Sequence, residues 1–147
     1  MERDVEILLI EDSESDAELT IRALKKNNLG NKLFHVADGA AALDFFFAEG
    51  KYISGQTSKN PHLILLDLKL PKVSGIEVLM KIKGDPRTKK IPVVVFTSSK
   101  EDPDVQTCYD LGANGYVVKP VEYDKFYQAI TNLGLFWMIV NQPPQKQ

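Results

Sequence analysis

Glu11 and Asp12, Asp67, Thr97, and Lys119 followed by Pro120 stand at or beside the ends of separate hydrophobic runs. Their types fit one phosphoryl-transfer site. Carboxylates gathered together disfavour full ionisation unless something positive joins them, and a carboxylate cluster with water and phosphate oxygens suits Mg²⁺, which takes few protein ligands. A carboxylate beside such a cation can attack a phosphoryl donor and form an aspartyl phosphate; the metal screens one anion from the other. Asp67 is placed for this. It closes the run Leu63-Ile64-Leu65-Leu66 and precedes Leu68-Lys69-Leu70-Pro71, with Gly75 beyond. Thr97, with Ser98 and Ser99 after it, offers hydroxyl and backbone donors to a phosphate oxygen, and Lys119 offers a mobile point charge suited to phosphate. The isomer of the Lys119–Pro120 bond is left open.

Taken singly, each residue has a plainer explanation. Glu11 and Asp12 read as the start of a loop that helps cap a helix, Thr97 as a turn cap and Lys119 as a surface lysine. It is the joint occurrence at strand ends that counts, because ligands of open parallel α/β sheets bind outside the carboxyl ends of the strands.

The elements that must position these residues are legible in the pattern of the chain. Short β-branched runs alternate with longer segments of helical period, as in βαβ units around a parallel sheet. Strands are expected over Val5 to Ile10, Leu33 to Val36, Leu63 to Leu66, Pro92 to Phe96 and Gly115 to Val118. The third and fourth are nearly continuous apolar runs, as central strands covered on both faces require. Ser15 with Glu18 forms a capping box ahead of Ala17, Ile21 and Leu24. Ala42, Leu43, Phe46 and Phe47 make a second helical stripe, and Ile76, Leu79 and Met80 begin a third. Asp102 reads as the N-cap of a fourth helix with Pro103 at its first position and Gly112 as its stop. A fifth helix begins near Glu122. The polar loop from Gly50 to Asn60 is the one long connection, and Tyr52 within it reads as a surface aromatic.

With 147 residues, 44% hydrophobic and 26% charged, the chain fits one domain over 1–141, since domains commonly hold about 100 to 150 residues. Residues 142–147, Gln- and Pro-rich, read as a disordered tail. A net charge of −2 with scattered Lys and Arg argues against a nucleic-acid face, which needs a basic stripe. The single Cys108 suits a reducing compartment. No basic region leads into an apolar stretch at the start, and Leu133 to Val140 falls far short of the about 18 residues that span a bilayer. A cytoplasmic protein with no export signal and no membrane contact is expected. His35 and His62 lie near strand beginnings, away from the acids, and form no metal-ligand spacing.

The sequence resembles the receiver domain of response regulators, the family that includes the chemotaxis regulators. The matching stretches are Ile10-Glu11-Asp12, Leu66 to Pro71 with Ser74-Gly75, Val95-Phe96-Thr97-Ser98, and Gly112 to Pro120. The resemblance implies a (βα)5 doubly wound fold of flavodoxin-like strand order 2-1-3-4-5. It also implies that Asp67 accepts phosphate from a sensor histidine kinase, with Mg²⁺ held by Glu11, Asp12, Asp67 and the Lys69 carbonyl. Lys119 would bind the phosphoryl group, Thr97 would move towards it, and Tyr116 would change rotamer, coupling the site to the surface of the fourth helix, fifth strand and fifth helix. Such a protein is a phosphoacceptor with self-catalysed phosphorylation and dephosphorylation, not an enzyme acting on a separate substrate. Glu11 stands where many relatives carry aspartate. Lys69 and Ser98 occupy positions that vary within the family and tune dephosphorylation. The long loop before Pro61 and the late Phe136-Trp137 resemble the stand-alone regulators of bacterial phytochrome kinases.

No output module is expected to follow the domain, so signalling should pass by binding a downstream protein. Phe126, Ile130, Leu133, Trp137 and Val140 form a heptad-like stripe, whereas Leu135, Phe136 and Ile139 lie off it. Two readings are open: a continuous helix whose surplus apolar groups make a homodimer, or a helix ending at Gly134 with a tail folded onto the domain. Rival functions are a phosphorelay carrier passing phosphate to another histidine protein, an aspartate-dependent phosphatase of the haloacid dehalogenase type, and a flavin-binding electron carrier. The phosphatase needs an acid where Lys69 stands, and the acidic Glu11-Asp12 pair would repel a flavin phosphate. Sequence does not separate the relay carrier from a binding switch.

Overall fold

The computed structural model describes residues 5–47 and 60–142. Strands β1 (Ile7–Ile10), β2 (Leu33–Val36), β3 (Leu63–Leu66), β4 (Val93–Thr97) and β5 (Gly115–Val118) alternate with helices α1 (Glu14–Lys26), α2 (Gly39–Phe47), α3 (Gly75–Gly84), α4 (Asp102–Asp110) and α5 (Tyr123–Leu135). All pairings are parallel, in the order β2-β1-β3-β4-β5. Residues of β1, β3 and β4 are buried throughout, as strands covered on both faces must be.

Side-chain alternation along the strands divides the apolar groups into two layers. Leu8, Ile10, Ile64, Leu66, Val93 and Val95 face α2, α3 and α4; Ile7, Leu9, Leu63, Leu65, Val94 and Phe96 face α1 and α5. The expected polar loop lies outside the described residues except for Asn60, as do Tyr52 and residues 143–147.

Local corrections follow from which group captures a helix terminus or a packing face. The Ser15–Glu18 capping box is not formed: Ser13 is the N-cap, its hydroxyl accepting from the Asp16 amide at 3.3 Å, and Ser15 lies inside the first turn. Glu101, not Asp102, is the N-cap residue of α4. The α3 stripe turns inward through Val78, Leu79 and Ile82, leaving Met80 exposed. Gly112 does stop α4, with φ of 105°, a value other residues adopt at a cost.

The helix does not end at Gly134. It runs through Leu135 into a π-helical turn, Phe136–Val140. Trp137 and Met138 pack on the α1/α5 layer, whereas Val140, expected on the packed stripe, is exposed with Leu135, Phe136 and Ile139. A Cβ at position 134 would lie 2.7 Å from Leu24 Cδ2 and 2.8 Å from Leu29 Cδ1, so this glycine serves a close approach of α5 to α1.

At the end of the sheet away from the acids, Lys83 Nζ donates to the carbonyls of Lys89 and Ile91 and to Asn114 Oδ1 at 3.0, 2.8 and 2.9 Å. These acceptors are neutral, and burial pushes the ammonium down to about 8. Lys83→Met is expected to destabilise the fold by about 1–3 kcal/mol by stranding these oxygens. Because the unfolded chain binds more protons between the folded value of about 8 and the ordinary 10.5, wild-type stability should gain over that interval. Urea unfolding on either side of the interval will show the gain in the wild type and its loss in the variant.

Candidate phosphoryl-transfer site

Parallel register brings the expected residues together. Ile10 is paired with Leu66, so Glu11 and Asp67 leave neighbouring strands side by side; the Asp67 amide donates to the Ile10 carbonyl at 3.0 Å and the Glu11 amide to that of Val36 at 3.1 Å. The Lys119 amide donates to the Thr97 carbonyl at 2.7 Å, and this pairing carries the lysine to the same end of the sheet. The Lys119–Pro120 bond is trans.

Lys119 Nζ lies 2.7 Å from Glu11 Oε1, 2.9 Å from Asp16 Oδ2 and 3.0 Å from Asp67 Oδ2. The side chains of Lys119 and Glu11 are only 8% and 2% exposed. Burial would pull the ammonium down, but Glu11 and Asp16 together hold it above its ordinary value. Burial pushes Glu11 up to about 7 despite Lys119, and the neighbouring Asp67 charge adds to the rise. Asp67 goes the other way. Burial would raise it, yet Thr97, Lys119 and Glu11 outweigh that and keep its carboxyl below the usual range. Two acids a strand apart thus differ in proton affinity, a pattern associated with functional sites.

Asp67 Oδ1 also accepts from the Leu68 amide at 2.7 Å. Just beyond, the Gly75 amide donates to the Leu68 carbonyl at 2.9 Å. A Cβ on Gly75 would overlap the Asp67 carbonyl and lie 2.5 Å from Leu68 Cα, so only glycine lets α3 start this close to the end of β3.

Thr97 is fully buried. Its Oγ1 has no hydrogen-bond partner among the described residues; the hydroxyl favours the Asp67 charge without completing a regular bond to it. Buried hydroxyls are nearly always paired. Two residues on, the Ser99 carbonyl accepts from Tyr116 Oη at 2.8 Å, and the Ser99 hydroxyl bonds to Asp104 of α4. The stretch from Thr97 to Ser99 therefore touches the acidic centre at one end and α4 and β5 at the other.

Glu11, Asp12 and Asp67 each present a carboxylate oxygen within 4.8 Å of the others, with Asp12 exposed at the rim. Hard oxygen donors around an open face fit a divalent cation such as Mg²⁺. Lys69 lies exposed in the loop after β3.

Sequence reasoning missed Asp16. With Ser13 as the N-cap, Asp16 occupies the third helical position, from which an acid reaches back over the helix start; reading the cap correctly would have pointed to it. Ser13 also donates its amide to Glu11 Oε2 at 3.2 Å. His35, expected away from the site, meets its backbone, with Nε2 2.8 Å from the Glu11 carbonyl oxygen. Adjacent strands β1 and β2 cause this proximity, and the imidazole contacts the main chain, not the acids.

Comparison with known proteins gives the family of the chain and the fold it shares. The family described as "Response regulator receiver domain" matches residues 7–131. The response regulator Rcp1 of Synechocystis is 40% identical over 132 residues, 90% of this chain and 88% of Rcp1. The crystal structure of the Mn²⁺-bound form of response regulator Rcp1 is 37% identical and superposes with a TM-score of 0.87 over 97% of this chain and all of that one. The phosphorylated cyanobacterial phytochrome response regulator RcpA is 37% identical with a TM-score of 0.88, over 96% of this chain and 99% of that one. The bacteriophytochrome response regulator RtBRR is 49% identical with a TM-score of 0.72, over 98% of this chain and 85% of its own. With a family match across most of the chain and relatives of this similarity, the protein belongs to the response regulator receiver domain family.

Proposed function

We propose that the chain acts as a single-domain, cytoplasmic response regulator in which Asp67 accepts a phosphoryl group from the phosphohistidine of a histidine kinase and thereby switches a protein-binding face. The observation that carries this reading is the buried Lys119 ammonium held against Asp67 at 3.0 Å and Glu11 at 2.7 Å, beside a Thr97 hydroxyl unpaired among the described residues. An Asp67 carboxylate oxygen bonds to phosphorus as the phosphorus–nitrogen bond of the donor breaks, and the departing imidazole takes up a proton. Glu11, Asp12, Asp67 and the Lys69 carbonyl would hold Mg²⁺, which would supply the positive charge that screens the anionic donor from the attacking carboxylate. Lys119 turns to the new phosphoryl oxygens. Thr97 donates its hydroxyl to one of them. Movement of Thr97 shifts the Ser99 carbonyl and so loosens the Tyr116 bond, a change of packing biased by charge.

The output face consists of α4, β5, α5 and the turn between the last two, where Tyr109, Val118, Val121 and Tyr123 stand exposed. The sensor is of phytochrome type, by similarity to RcpA and RtBRR, and the downstream partner is a protein that binds this face. Incubation with acetyl phosphate should add one phosphoryl group, seen by intact mass, with Mg²⁺ present and none with the metal chelated. Labelling that ignores chelation would sink this reading.

Leu135, Phe136, Ile139 and Val140 leave an apolar strip exposed on the terminal turn, larger than packing on the sheet requires. The strip supports a homodimer. Making Phe136 and Ile139 polar should yield a smaller species in sedimentation, and a folded monomer for both proteins refutes the dimer.

A further inference from the structure

Three acceptors saturate Lys119 Nζ, and an ammonium has three donors. Glu11 and Asp67 belong to the carboxylate trio that fits a divalent cation; Asp16 does not. It comes instead from the first turn of α1, where its own amide is tied to the Ser13 hydroxyl. Asp16 is also the most accessible of the three partners, its side chain 33% exposed against 2% and 9% for Glu11 and Asp67. A cation that draws on Glu11 and Asp67 removes two acceptors from the lysine and leaves this one.

On the phosphoacceptor reading above, we propose that Asp16 is a positioning residue of the site: its carboxylate holds the Lys119 ammonium while a divalent cation takes Glu11 and Asp67. Without that anchor the ammonium keeps to the two inner carboxylates and competes with the metal for them. With it, the ammonium rests at the rim of the crevice, where phosphoryl oxygens arrive, on an acceptor that a phosphoryl oxygen can replace. The charges agree with this. One ammonium faces three carboxylates, so a divalent cation enters an acidic cleft, and retaining Lys119 on Asp16 keeps like charges apart inside it.

Calorimetric titration with Mg²⁺, in the absence of any phosphoryl donor, tests the anchor. Asp16→Asn should weaken Mg²⁺ binding roughly tenfold, the size of one charge-assisted hydrogen bond. Glu14→Gln removes an acid from the same helical turn and should leave binding within about twofold of the wild type, as expected of a surface charge. In a Lys119→Met background the Asp16→Asn effect should vanish, because the pair acts as a unit. Unchanged Mg²⁺ affinity in Asp16→Asn, equal weakening in Glu14→Gln, or an effect undiminished in the Lys119→Met background overturns the proposal. Failure of the phosphoacceptor reading shows separately, as acetyl phosphate labelling of Asp67→Asn at the wild-type rate.

Discussion

Asp67→Asn will take up no phosphoryl group from acetyl phosphate while remaining folded. The amide oxygen has the shape of Oδ1 and can keep the Leu68 amide bond, which is 2.7 Å in the wild type. What is lost is the anionic oxygen 3.0 Å from Lys119, the nucleophile of the proposed reaction. Glu11 and Asp16 still hold the ammonium, at 2.7 and 2.9 Å, so the change in stability at neutral pH should stay near ~1 kcal/mol. With the Asp67 charge gone, one of the influences that raise Glu11 goes as well, which favours its ionised form. The acid-side behaviour has a definite sign. Asp67 is held below its ordinary 3.8 in the folded chain, so its ionised form contributes stability that is complete above 3.8 and is lost as pH falls through the lower folded value. The wild type should therefore lose its margin over the variant on acidification. Intact mass for labelling and thermal unfolding across pH check both statements, and labelling of the variant at the wild-type rate would place the acceptor elsewhere.

Lys119→Met should have the largest effect on the metal-free fold. Methionine approximates the shape of the stem but removes the cation from three acids, two of them almost fully buried. Removing one partner of a buried ion pair costs about 3–5 kcal/mol because the other charge is left uncompensated. In a chain of this size that corresponds to a fall of about 10 °C in the unfolding midpoint. The deficit depends on pH. Without the ammonium, Glu11 and Asp67 both rise in the folded state, so the stability they retain is present at acid pH and is lost as pH climbs through their raised values. The variant should look closest to the wild type in acid, at or below pH ~4, and worst in mild alkali. Mg²⁺ restores positive charge to the same carboxylates and should narrow the gap. Labelling should fall about a hundredfold even at saturating Mg²⁺, the scale for removing one preorganised donor from a transition state that develops charge. A variant as stable as the wild type without metal, at all pH, would show that the ion cluster contributes nothing to the fold.

Much of the architecture could be read along the chain because its causes are local. Leu63 to Leu66 and Val93 to Phe96 are apolar on both faces and had to be central strands; Pro103 and Gly112 bracket a helix through backbone restrictions of their own. Asp67, Thr97 and Lys119 could be picked out because parallel strands deliver whatever follows them to one edge. Errors arose where two local signals compete or where a distant surface decides. Ser13 and Ser15 are equally good caps by type, and the turn after β1 selected the first. At Gly134 a continuing and a terminating helix were both open by type, and the Leu24 and Leu29 side chains pressed against the place a Cβ would take show packing carrying the helix through a residue of poor propensity.

The sequence by itself determined the order of strands and helices, the apolar layers on both sides of the sheet, and the residue types available at its carboxyl edge. Only the tertiary structure decided which of them share a charge. Lys119 meets Asp67 across 52 positions and Asp16 across 103, and it turned Glu11 and Asp67, alike in type, into one acid raised to about 7 and another held low. Hydropathy and propensity act between near neighbours in the chain; burial and Coulomb interactions act between neighbours in space, and those exist only once the sheet is assembled.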